Sequence, residues 1–151
     1  MISVDVQDLQ DLLQIDIDRI ERWSEEILTR LDKKSAELSI VLVDDKYIQQ
    51  LNQNYLGKNR PTNVISFPQQ EGPGPQGRHL GDVVLSVESA LHEAEDALMP
   101  PIQRVLQLLI HGICHLSGYN HEGVPQAQAT RMQKKEEDLF TTLMQNEPLT
   151  V

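Results

Sequence analysis

Apolar and polar positions along this chain follow two periods, and the elements can be read from where one period gives way to the other. From Ile2 to Val6 they alternate strictly, which predicts a short strand. Between Asp16 and Leu31 the apolar residues Ile17, Ile20, Ile27, Leu28 and Leu31 recur at helical spacing, with charge on the opposite face, so an amphipathic helix is expected. Glu37 to Val43 (ELSIVLV) is rich in β-branched residues and bounded by charge, hence a strand. Asp44 or Asp45 can cap a following helix whose buried face is Tyr47, Ile48, Leu51 and Tyr55, with Gly57 at its end. Pro61 to Pro68 (PTNVISFP) is a short strand fenced by prolines, which suits a sheet edge. Residues 69–78 (QQEGPGPQGR) read as a mobile loop that overhangs a site. Leu80 to Val87 is another strand. Helices are then expected from Glu88 to Leu98, from Pro100 or Pro101 to Ser117, and from Pro125 to Gln145. Prolines suit a helix start, where the first N–H groups have no partner in any case. Strands early and helices late predict an α+β fold, one domain over 1–151, with a small mixed β-sheet packed by helices. Trp23 and Tyr47 are expected in the core.

Composition narrows this picture. A chain of 151 residues with 39% apolar content is long enough to bury a core without staples. The single cysteine, Cys114, cannot close an internal disulfide, which points to a reducing cytoplasmic setting. The acidic N-terminus lacks a basic region and an apolar run, so no signal peptide is expected, and no stretch is apolar enough to span a bilayer. Thirteen Lys and Arg against twenty-three Asp and Glu give a net charge of −10, which argues against a general nucleic-acid binder and against DNA as a partner. Distribution tempers that. Many acids fall in Asp5–Glu26 and Glu136–Asp138, whereas Lys58, Arg60, Arg78 and Arg104 make the middle of the chain locally basic. An acidic protein can therefore hold a positive cleft.

The chemistry concentrates in His111-Gly-Ile-Cys-His115-Leu-Ser-Gly118-Tyr-Asn-His121. On a helix, His115 lies only about 40° round from His111 and one turn on, so both rings leave one face and can reach a common ion at roughly 2.0–2.1 Å. Gly118 allows the backbone to leave the helix through positive φ, and His121 returns as a third ligand. Three neutral nitrogens on a tetrahedral ion, Zn²⁺ by preference with another divalent transition metal as an alternative, leave one position for water, as catalytic sites do. A single histidine on an apolar helix is more often a satisfied core residue. Here the helical wheel opposes that reading. Ile102, Leu109, Ile113 and Leu116 gather on the side opposite His111, whose own stripe holds Arg104 and Gln107. The same spacing occurs in metzincin peptidases, but those need a glutamate after the first histidine, and Gly112 cannot take a proton. Other candidates read as structural or solvated: Cys114 as core, His79 as a loop residue, His92, Lys134 and Lys135 as exposed, and Asp82 as structural.

With these residues in view, HGICHLSGYNH resembles the HGxLHLxGYDH signature of the YbeY family of bacterial rRNA-maturation endoribonucleases. Leu51 to Pro68 (LNQNYLGKNRPTNVISFP) resembles that family's LNxxYRGKDxPTDVLSFP, and Leu80-Gly81-Asp82 before an apolar strand also fits. Met132 and Glu136 sit where the family often has similar residues. The resemblance implies a zinc-dependent, single-strand-specific endoribonuclease that matures rRNA, including the 3′ end of the small-subunit species, and serves ribosome quality control. Its partners would be rRNA and the ribosome or ribosomal proteins, with one zinc on His111, His115 and His121. Two positions depart from the family. Leu56 replaces the arginine expected in catalysis or phosphate binding, and Arg60, four residues on, is the residue expected to supply a guanidinium instead. Asn120 replaces the aspartate beside the third histidine, where an amide can orient a ligand but adds no charge. The alternatives are a ribosome-assembly factor with a structural metal and little cleavage and, behind it, a zinc metallopeptidase.

Overall fold

The computed structural model describes residues 1–69, 79–118 and 126–146. Their elements run β1 (Ser3–Asp8), α1 (Ile17–Arg30), β2 (Glu37–Val43), α2 (Asp45–Leu56), β3 (Val64–Pro68), β4 (His79–Ser86), α3 (Val87–Ala97), α4 (Pro101–Leu116) and α5 (Gln126–Gln145). The four strands make one mixed sheet in the order β1-β2-β4-β3. β1 and β4 flank β2 in parallel, and β3 runs antiparallel to β4 at the edge and ends on Pro68, a place where a proline is tolerated. This is the expected α+β architecture.

Local chemistry sets the element ends. The Asp16 carboxylate accepts the N–H groups of Asp18 and Arg19 at the start of α1, and that of Asp44 accepts the Tyr47 N–H at the start of α2. Gly57 closes α2 at φ 70°, in the left-handed region. Pro101 occupies the first turn of α4.

Strand alternation sorts the core into two unequal layers. Leu38, Ile40 and Leu42 of β2 and Val83 and Leu85 of β4 join α1, α3, α4 and α5 in the main core. Val43, Val84 and Ile65 face the other way and cluster with Ile48 of α2, with the partly buried Val41, Leu51 and Phe67 against them. α4 is the central helix of the thick side: Val105, Leu106, Leu109, Ile110 and Ile113 are fully buried, each contributing about 1.5–3 kcal/mol of transfer free energy.

Several sequence expectations need correction. β1 extends to Asp8 rather than stopping at Val6, because Gln7 and Asp8 pair with Val41 and Leu42 of β2. Tyr47 is not core: it is 45% exposed and Tyr55 is 67% exposed, since α2 covers only part of its side of the sheet. Asn52 is buried in their place, and its side chain donates to the Arg60 carbonyl at 2.9 Å. His79 is not a loop residue but opens β4, half-buried, with its ring 3.5 Å from Asp82. The 69–78 loop lies outside the described residues from position 70 onward. Trp23 and Cys114 are buried and His92 is exposed, as expected.

Candidate metal centre

The two histidines of α4 lie on the helix face that the core does not take. Their rings meet edge to face, with centroids 4.6 Å apart. Leu108, Leu109, Ile110 and Ile113 anchor the same turns in the core, so the imidazoles ride on a rigid element rather than a loop. Gly118 follows at φ 102°, the positive value expected where the chain leaves the helix. Asn120 and His121 lie outside the described residues.

Gly112 explains how α4 comes so close to the sheet. A Cβ there would sit 2.8 Å from Val83 Cγ1 and 3.3 Å from both Ser66 Oγ and Val64 Cγ2. Ser66 then donates its hydroxyl to the Gly112 carbonyl at 3.0 Å, pinning the edge strand β3 beneath the histidines. No side chain, and so no general base, fits at the position where a metzincin needs one.

Glu136, which the sequence matched to the family without a role, joins the site. From α5 its Oε1 reaches His111 Nδ1 at 2.5 Å, with the two side chains 20% and 33% exposed. A carboxylate on Nδ1 holds the proton there and turns Nε2 outward as the ligating nitrogen, which is the usual support of a metal-binding histidine. The donor set therefore fits a zinc-like ion: two imidazoles on one face, one of them already oriented by a carboxylate. Among the described residues no third ligating side chain converges on the pair, and His121 lies beyond them. Cys114 faces the core, where burial, and then the Glu136 charge, push its thiol pKa up to about 12. A neutral thiol of that kind is a poor ligand.

Two clefts meet at His111. One, of about 760 Å³, is lined by Lys58, Arg60, Leu56, Asn63, His111 and His115 among others. Arg60 and Leu56 thus share one cleft with both histidines, and Arg60 is exposed. The other, of about 590 Å³, is lined by Asn63, Arg104, Gln107, His111, Glu136 and Phe140 among others. Arg104 belongs to this second cleft and not to the cationic one. Its guanidinium is engaged by Glu93 at 2.9 Å and by the Gln107 side-chain oxygen Oε1 at 2.8 Å.

The comparison with known proteins now decides the family. The family model described as Endoribonuclease YbeY matches residues 5–144. This chain belongs to the YbeY family. Among its YbeY relatives, the Endoribonuclease YbeY of Syntrophus aciditrophicus is 40% identical over 143 residues, covering 93% of this chain and 89% of that protein. That of Geobacter sulfurreducens is 43% identical over 129 residues, covering 83% and 85%. The solution structure of TM1509 from Thermotoga maritima superposes with a TM-score of 0.60 at 22% identity over the whole of both chains, a likeness of fold. No helix among the described residues is long and apolar enough to cross a membrane.

Proposed function

We propose that this chain is a metal-dependent endoribonuclease that cuts single-stranded RNA, with rRNA of the assembling ribosome in the cytoplasm as its substrate. The observation that carries this reading is the pair of imidazoles, His111 supported by the Glu136 carboxylate, opening onto a cleft that also holds Lys58 and Arg60. His111, His115 and His121 would hold the ion, zinc by preference. Bound there, zinc supplies Lewis acidity toward a phosphoryl oxygen or a water molecule.

The chain's own residues do the rest. Arg60 and Lys58 bind the substrate phosphate, Arg60 through a planar fork suited to two phosphate oxygens. The Asn52 side chain, buried under the turn, fixes the backbone that carries Arg60. Arg60 takes over from the family arginine whose position is Leu56, because both residues line one cleft. Glu136 holds the proton of His111 at Nδ1 and so keeps Nε2 a lone-pair donor.

The test is cleavage of a defined single-stranded RNA by the purified protein, before and after chelation. Internal cuts that stop on chelation and return with zinc support the reading. An intact RNA with zinc present, together with tight binding to ribosomal particles, would instead favour an assembly factor. Cleavage of unstructured peptides but not RNA would favour a peptidase.

A further inference from the structure

We infer that the second cleft, on the α5 side of His111, is a nucleobase-binding pocket that selects the base next to the cut. The inference rests on the endoribonuclease reading above and adds where sequence preference would come from. At about 590 Å³ the cleft has the size of a small-molecule site. Its charge is wrong for phosphate. Glu136 and Glu137 line it, and Arg104, the one Lys or Arg among the described residues that line it, is paired with Glu93. An RNA strand crossing His111 with a phosphate beside Lys58 and Arg60 would place an uncharged part of the neighbouring nucleotide here.

The wall is built to read such a part. Glu93 accepts from the Asn63 Nδ2 group at 3.2 and 3.3 Å, and Arg104 donates from Nη1 to Gln107 Oε1 at 2.8 Å. Each amide is thereby fixed by one end. Asn63 keeps Oδ1 as an acceptor, and Gln107 keeps Nε2 as a donor, neither bonded to a described residue. An acceptor and a donor lining one cleft and held by one hydrogen-bond network match the paired donor and acceptor of a base edge. Phe140 of α5, which also lines the cleft, supplies an aromatic surface on which a base can stack. Because Asn63 and His111 line both clefts, the base would be read directly beside the phosphate to be cut.

The experiment compares the zinc-loaded wild type with Gln107→Glu and Asn63→Ala on single-stranded RNAs that differ by one base at each position around the cut. Gln107→Glu retains the oxygen that receives Arg104 and replaces the donor by an acceptor, so it inverts the reading without opening the network. The expected result is a wild-type preference in kcat/KM at one adjacent position, changed by roughly ten-fold in Gln107→Glu and flattened in Asn63→Ala, with other positions unaffected. An equal loss on every RNA, or a wild type indifferent to the adjacent base, would overturn the inference. Should the wild type cut no RNA at all, the endoribonuclease reading itself fails. Binding of the same oligonucleotides by fluorescence anisotropy then decides: base discrimination altered by Gln107→Glu supports the pocket, and its absence overturns it.

Discussion

The two clefts that share His111 are made in opposite ways. On the β3 side the cations Lys58 and Arg60 stand exposed on the turn after α2, held through the backbone by Asn52. On the α5 side the polar groups are locked to one another, Asn63 to Glu93, Glu93 to Arg104 and Arg104 to Gln107, on helices and a strand end. Loose charge attracts a polyanion with little regard to its sequence, whereas fixed amides discriminate. On the proposed reading the contrast assigns attraction to one side of the histidines and selection to the other, with Glu136 bridging α5 to the histidine face.

The predictions test this division from the strongest effect downward. His111→Ala removes an imidazole common to both clefts and is expected to abolish RNA cleavage while the helical circular dichroism is retained. Glu136→Ala is expected to weaken metal affinity by about 10–100-fold in chelator competition, with Glu136→Gln in between, because an amide can still orient the ring. Unchanged affinity in Glu136→Ala would remove the carboxylate from the account. Gly112→Ala places a methyl group where Val83 Cγ1 lies 2.8 Å away, so a loss of about 1–3 kcal/mol in denaturant unfolding is expected as α4 is pushed off the sheet.

Arg60→Ala acts on the exposed side alone. It should raise KM roughly five- to ten-fold and reduce the salt dependence of binding, and it should leave base preference intact. A changed base preference would show that the two clefts do not divide the work. The smallest effect is expected of Asn120→Asp, a few-fold gain in metal affinity from a carboxylate beside His121, measured by the same chelator competition.

What could be read in the sequence followed from local regularity. The face of α4 that carries the histidines was legible because Leu109, Ile113 and Leu116 occupy the opposite arc, and periodicity alone reports that. β2 was legible to its ends because its β-branched run is bounded by charge on both sides. The bond from Glu136 to His111 was not, because it joins residues 25 positions apart and Glu136 sits in a run of charges that reads as a solvated face. Tyr47 and Tyr55 misled in the reverse direction. Their spacing is that of a buried face, but α2 covers only part of its side of the sheet and buries Ile48 and Asn52 instead. Gly112 was read for the base it lacks. Its packing against Val83, Val64 and Ser66 depends on where the strands lie, which no helical wheel contains.

The central claim is that a metal ion sits on the histidine face, and elemental analysis of the purified protein tests it most directly. The account predicts about one zinc per chain in the wild type and its loss in His115→Ala, with both proteins folded. A carefully handled wild type that holds no metal and takes up none from added zinc would contradict it.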